Sequence, residues 1–337
     1  MEVNCKGCAG CCLNWKPLLE AELEETPHQR RQTPFSATDD TSRPPLDDDT
    51  NFVPLTRDEV RTFLEAGLAA ALTPRFWHAR DWGEDHASSD SSSGDPPRAS
   101  EGVDIDGHSI AAVAGRPVFF VGLRKPPKPV APIGREEPVW LPSCVFLDPT
   151  TLQCRVHGGD RFPEECGAYP AYNIELGQET ECERVEAAGG GERLLDAAVD
   201  DDLDGLLLGS QALGAKLFAH PRPDALEGII DRAATGALTT ADRAECLAVA
   251  AASSPGTLAT SEYHYEQART QVLEGDSDHD GGDERTAGES DGSWIGPAIR
   301  EWQRRRETSE TAPSPSVANR IEDARGAPDT PGWDRLE

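Results

Sequence analysis

An α+β fold is predicted from three features of this 337-residue chain. A local run of cysteines near the start is answered by distant cysteines that tie two ends of one domain together. Short apolar runs broken by turn residues follow in the middle, and apolar residues at helical spacing fill the later part. The expected organisation is a small, irregular, cysteine-rich and metal-bound domain over residues 1–188, with short strands and a helix. An α-helical region over 189–273 and a mostly disordered acidic tail over 274–337 complete it. Residues 24–51 and 84–101 are expected to be flexible inserts in the first domain.

The chain opens on Cys5, Cys8, Cys11 and Cys12, then loses apolar periodicity through Pro44-Pro45 and Asp47-Asp48-Asp49. Order is expected to return at Phe52–Leu55. Thr56 and Glu59 have the spacing of a capping box, in which hydroxyl and carboxylate satisfy amides at a helix start, and Val60, Phe63, Leu64 and Leu68 mark one apolar face. That helix should stop before Pro74, with Phe76, Trp77 and Trp82 packing near it, and Ser88–Ser100 is a solvated loop. Asp106-Gly107 between Val103–Ile105 and Ile110–Val113 predicts a hairpin, and Val118–Val121 a further strand. Lys125–Pro132 is read as a connector to the second cysteine group.

Past Cys182 and the Gly189-Gly190-Gly191 break, helices are expected around Leu194, Leu195, Ala198, Leu203, Leu206 and Leu207. Others are expected over Ala225–Ala234, Thr240–Ala252 and Leu258–Leu273. Residues 274–292 and those after Glu307 are expected to be mobile, with Trp294, Ile299 and Trp302 on one short helix between them.

Acidic residues outnumber basic ones by 61 to 32, a formal net charge of -29. Charge of this sign repels nucleic acid and anionic membranes over a Debye length of roughly 10 Å, and no stretch approaches the ~20 apolar residues that cross a bilayer. Neither partner is expected. The composition fits a halophilic cytoplasm, where salt screens self-repulsion. A cysteine run beginning at residue 5 leaves no room for a secretory signal, so a reducing compartment is expected, with the nine cysteines as thiols for metal or redox work rather than disulfides.

Cys5, Cys8 and Cys11 have the spacing with which a loop holds three irons of a [4Fe–4S] cluster, the fourth ligand coming from elsewhere. Gly7, Ala9 and Gly10 let that loop turn tightly and offer backbone amides to sulfur. Cys12 should point away from Cys11, serving another site or staying free. Downstream stand Cys144, Cys154, Cys166 and Cys182, irregularly spaced, with turns expected at Asp148-Pro149, Gly158-Gly159, Pro163 and Pro170. Arg155, Arg161 and Arg184 are candidates to offset thiolate charge. Cys246 reads as a buried helix residue, His157 as a turn residue bonded to backbone, His264 as a helix-surface residue, and Tyr169 and Tyr172 as packing beside Pro170. Serine-hydrolase, phosphate-loop, zinc-protease and dinucleotide signatures are absent, which leaves enzyme activity undecided.

The run Cys-x-x-Cys-x-x-Cys-Cys, with Cys-Val-Phe-Leu at Cys144, Cys-Arg-Val-His at Cys154 and Pro-Glu-Glu-Cys-Gly-Ala-Tyr-Pro around Cys166, resembles the YkgJ-like cysteine-cluster family of zinc- or iron-chelating, Fe–S-cluster-containing domains. Residues 3–23 and 52–184 carry the resemblance. It implies metal or cluster ligation by Cys5, Cys8, Cys11, Cys12, Cys144, Cys154, Cys166 and Cys182, with a [4Fe–4S] cluster or zinc as cofactor. His157 stands where that family more usually has an aromatic, and Phe162-Pro163 where it has Arg-Pro. The leading expectation is therefore a metal-binding protein. An Fe–S-dependent oxidoreductase or protein-modifying enzyme of the lysine-methylase kind is an alternative, as is a zinc-braced scaffold that meets a protein partner through the helical region.

Overall fold

The computed structural model describes residues 1–20, 45–47, 51–79, 102–199, 212–277 and 294–331. Its helices are α1 (Lys16–Glu20), α2 (Arg57–Glu65), α3 (Glu164–Glu175), α4 (Glu181–Gly189), α5 (Leu213–Lys216), α6 (Ile229–Ala234), α7 (Thr240–Ala252), α8 (Glu262–Ser277), α9 (Ile295–Thr308) and α10 (Pro315–Asp323). The strands are β1 (Glu2–Val3), β2 (Leu72–Phe76), β3 (Gly102–Ile105), β4 (His108–Val113), β5 (Arg116–Leu123), β6 (Pro127–Val130), β7 (Val139–Pro142), β8 (Leu194–Asp196) and β9 (Leu217–Ala219). The class is α+β.

Antiparallel pairing builds the main sheet in the order β2-β5-β4-β3, and β9 joins β5. The expected hairpin forms at Asp106-Gly107, whose φ angles of 53° and 79° suit a turn that follows the twist of its strands. α2 packs on α7 and α8 and is held at its start by the expected box: Thr56 N donates to Glu59 Oε2 at 2.7 Å, and Glu59 N to Thr56 Oγ1 at 3.3 Å. It buries Val60, Phe63 and Leu64 and ends at Glu65. The alanine-rich α7 then packs on α8, α2 and β2, its small side chains permitting close approach. The buried core runs from the cysteine segment through α7 and α8 to Ile321 without stopping at residue 188 or 273.

Several local expectations need correction. Leu194–Asp196 is a strand, not a helix, because Glu2–Val3 offers it an open edge. The Lys125–Pro132 segment contains β6, paired with β7; as an edge in a two-stranded ribbon it tolerates Pro127 and Pro129. Pro170 is no turn: it sits inside α3, where it removes the donor for the Cys166 carbonyl four residues earlier and sets its ring against that carbonyl. Leu46 N donates to Phe76 O at 3.0 Å and Asp47 pairs with Arg75 at 2.8 Å, which pins the end of the first expected insert to β2. The rest of both inserts, Trp82, Leu203, Leu206, Leu207 and the acidic stretch 278–293 lie outside the described residues.

After Glu307 the chain continues into α10 instead of a mobile tail. Its polar composition hides a short apolar stripe, Ala318 and Ile321, and a buried ion network. Lys128 Nζ, fully buried, lies 2.8 Å from Glu322 and donates to the carbonyls of Leu147 at 2.6 Å and Val145 at 3.1 Å. Arg155 donates through Nε to Glu322 at 2.9 Å, and through its two Nη atoms to Pro328 O at 2.6 Å and Asn319 Oδ1 at 2.7 Å. The expected helix around Trp294, Ile299 and Trp302 is α9, with all three side chains buried.

Candidate metal centre

Two tight turns shape the N-terminal loop: Cys8 N donates to Cys5 O at 3.0 Å and Cys12 N to Ala9 O at 3.1 Å. Gly7 and Ala9 take positive φ, 60° and 54°. At Gly10 an added Cβ would stand 2.8 Å from Val185 Cγ2 of α4 and 3.5 Å from the Cys8 sulfur, so only glycine lets the loop lie against that helix. The loop then runs alongside the second cysteine group. Cys144 N donates to Cys12 O at 2.7 Å and Asn14 N to Pro142 O at 2.8 Å. Leu147 bridges Cys154 across the turn that follows, and Arg155 N donates to Phe146 O at 2.8 Å.

Cys166 and Cys182 occupy the first turns of α3 and α4. There the positive end of the helix dipole favours a thiolate over a thiol. Glu59 of the α2 box links these parts, since its Oε1 accepts from Glu164 N at 2.9 Å. Thr180 and Glu183 form a second capping box that starts α4.

Cys5, Cys8, Cys11, Cys12, Cys144, Cys154, Cys166 and Cys182 all line one cavity of about 90 Å³. Its remaining wall is mostly apolar, including Val3, Val53, Leu123 and Leu152, and no carboxylate lines it among the described residues. Organic ligands generally occupy roughly 300–1,000 Å³, so this space suits a small inorganic group. All eight are free thiols. Among the described residues no three His, Cys, Asp or Glu side chains are gathered tightly enough to hold an ion as they stand. The sulfurs therefore surround a space without closing on a point.

The thiols act on one another throughout the cavity: Cys8 bears on Cys5, Cys11 and Cys182, Cys144 on Cys12, Cys154 and Cys166, and Cys11 and Cys5 reach across to Cys12, Cys166 and Cys154. Burial is the main influence on their protonation: it pushes Cys5 up to about 11 and Cys154 and Cys182 up to about 12. It also drives Cys11, Cys12 and Cys166 well above the ordinary thiol range. Opposing it, the backbone N–H groups of Val156 and His157 bear on the Cys154 thiol and pull its pKa down.

The cations differ from those expected. Arg155 is turned toward α10, and Arg184 pairs with Glu181 over the Trp15 ring, 4.8 Å from its centroid. Arg161 does not line the cavity either. Instead Lys125 bears on Cys166 and Arg193 on Cys5. Tyr169, read from the sequence as packing beside Pro170, stands at the thiols instead. The Cys11 thiol donates to its hydroxyl at 2.9 Å, and Tyr169 and Cys182 bear on each other. Its signal was the i, i+3 spacing from Cys166, which matters only once Pro170 is placed within a helix.

His157 lines the cavity with its ring 4.6 Å from that of Phe162, and burial lowers its pKa. Cys246 is fully buried on α7, outside the cavity. His264 is exposed and lies 2.9 Å from Ser261 Oγ.

These features define an α+β protein in which an N-terminal loop and a central segment enclose a thiol-lined cavity. The chain belongs to a family of unknown function, DUF7531, whose family model matches residues 1–334. No curated protein and no solved structure matches it. Among the described residues no helix is long and apolar enough to cross a membrane.

Proposed function

We propose that this chain is a metal-binding protein that holds a [4Fe–4S] cluster or zinc through its eight clustered cysteines. The observation that carries the reading is their common cavity: eight thiols, no carboxylate among the described residues, and room for an inorganic group. Soft thiolates select zinc, copper(I) or iron–sulfur over hard cations. The resemblance of both cysteine groups to the YkgJ-like family supports the same chemistry.

Cys5, Cys8, Cys11 and Cys182 would form one ligand set, with three thiols from a single loop and a fourth from a distant helix, as cluster loops commonly have. Cys12, Cys144, Cys154 and Cys166 would form the other. Bound there, such a group supplies a structural brace or an electron-transfer centre. The protein's own part is to release thiol protons, which burial holds tightly, and to close the loop onto the Leu147–Cys154 turn and the two helix starts. Lys125, Arg193 and the Val156 and His157 amides offset the charge that develops.

Structural zinc contributes roughly 10–16 kcal/mol in small peptides, as much as the ~5–15 kcal/mol stability of a whole domain. Chelation should therefore cause cooperative loss of structure. Cys5→Ser and Cys144→Ser, one from each set, should each lower bound metal and melting temperature, whereas Cys246→Ser should leave metal content unchanged. A metal-free preparation of the Cys5→Ser/Cys144→Ser protein that melts with the wild type would overturn the proposal.

A further inference from the structure

One part of the thiol cavity's wall comes from far outside the cysteine segments. Pro331 lines it together with the N-terminal loop, the turn between Leu147 and Cys154, and the starts of α3 and α4. The chain arrives there from α10. That helix ends in a tight turn, Gly326 N donating to Asp323 O at 3.0 Å and Ala327 N to Glu322 O at 3.1 Å, the paired bonds of a fixed helix end. Residues 328–331 then lead to the cavity, with Pro328 and Asp329 exposed and Thr330 and Pro331 half-buried.

These four residues are attached unlike the cysteine-bearing parts of the wall. The N-terminal loop is joined to the second cysteine group by backbone bonds, and Cys166 and Cys182 lie within helices. Pro328 and Pro331 have no N–H to pair, and among the described residues no backbone–backbone hydrogen bond holds Asp329 or Thr330. Two side-chain bonds hold the segment. Arg155 Nη1 donates to Pro328 O at 2.6 Å, and Thr330 Oγ1 donates to Asp148 Oδ2 at 2.7 Å. Both anchors flank the turn that bears Cys154, and both are fixed independently of the four residues. Asp148 Oδ1 accepts from Thr150 N at 2.8 Å and Thr151 N at 2.9 Å, and Arg155 is also held by Glu322 and Asn319.

None of the eight thiols is exposed, so an ion reaches the full set only where the wall parts. Local opening takes least free energy where backbone pairing and buried contacts are fewest. We propose that residues 328–331 form a strap over the thiol cavity, whose opening sets how fast metal enters and leaves. The inference rests on the metal-binding reading above and adds regulation to it. Pro331 brings no side-chain donor to the cavity, so the strap covers the ligands without becoming one.

The test compares the full chain with Thr330→Val and Pro331→Ala, each purified under reducing conditions. Thr330→Val keeps the side chain's shape and removes only the bond to Asp148, while Pro331→Ala removes the covering ring. A bulky aromatic disulfide reports access to the thiols. Cys246, fully buried outside the cavity, is the reference for global unfolding. Release of bound metal to excess chelator gives the exit rate. Loss of a hydrogen bond to a charged group should favour the open strap about tenfold. Cavity thiols should therefore react, and metal should leave, about tenfold faster in Thr330→Val, and faster also in Pro331→Ala, with metal content and the Cys246 rate unchanged.

Thiol or release rates equal to wild type in both variants would overturn the proposal. So would acceleration shared by Cys246, which marks general loosening, or lower metal content, which makes the segment part of binding and not a gate. Protein that holds no metal but shows the faster reaction of its cavity thiols would instead refute the metal-binding reading and keep the strap.

Discussion

Glu322→Ala should be among the most destabilising single substitutions outside the cysteines. The Glu322 carboxylate is fully buried and lies 2.8 Å from Lys128 Nζ and 2.9 Å from Arg155, both themselves buried. Burial pushes its carboxyl up, and the two cations pull against that shift. Removing it leaves Lys128 with the carbonyls of Leu147 and Val145 and the Trp302 ring, 4.6 Å from its Nζ to the centroid, while Arg155 keeps Asp148 at 3.4 Å and Asp323 at 3.6 Å. Breaking a buried pair from one side typically costs about 3–5 kcal/mol, because a buried cation loses its partner. Against a domain stability of ~5–15 kcal/mol, this is a large fraction.

The effect should reach the thiol cavity. Arg155 adjoins Cys154, and Pro331, just beyond the network, lines the cavity wall. Denaturant unfolding gives the energy, and the rate at which Cys154 reacts with a thiol reagent gives the reach. A double-mutant cycle with Lys128→Met isolates the pairwise part. A Glu322→Ala loss below about 1 kcal/mol, the worth of an exposed pair, would refute the view that α10 is clamped by buried charge.

Tyr169→Phe should fold normally yet lose the hydroxyl that accepts from Cys11, lowering metal affinity about 10–100-fold in competition with a chelator. Glu245 should give acid sensitivity. Burial alone would raise its pKa, but His220, Tyr265 and Arg222 together hold it down to about 2. A carboxyl depressed on folding stabilises fully above its unfolded value, near 4.5, and progressively less as pH falls toward 2. Glu245→Gln should therefore cost about 1.5–3 kcal/mol at pH 7, with the gap from wild type closing over that acid window in urea melts. Thr56→Ala should cost about 1 kcal/mol by loss of the α2 cap, with metal content unchanged.

Elements set by local chemistry were legible in the sequence: the Thr56 capping box, the Asp106-Gly107 hairpin and the Thr240–Ala252 helix all form where spacing and turn residues placed them. What escaped depends on partners far away in the chain. Leu194–Asp196 is extended only because Glu2–Val3 pairs with it. The segment after Glu307 looks polar, yet Glu322 is buried because Lys128 and Arg155 wait for it, nearly 200 residues earlier in one case. Likewise the eight cysteines could be named from sequence, but their neighbours could not. Tyr169 and Lys125 reach the thiols through tertiary folding.

The central claim is that the thiol cavity holds a metal or an iron–sulfur cluster, and elemental analysis with an absorption spectrum of anaerobically purified protein tests it most directly. Stoichiometric zinc in colourless protein, or iron and sulfide with visible charge-transfer absorption, is the predicted result. Protein that is folded, colourless and free of metal, and that gains neither stability nor absorption when zinc or iron and sulfide are supplied under reducing conditions, would contradict it.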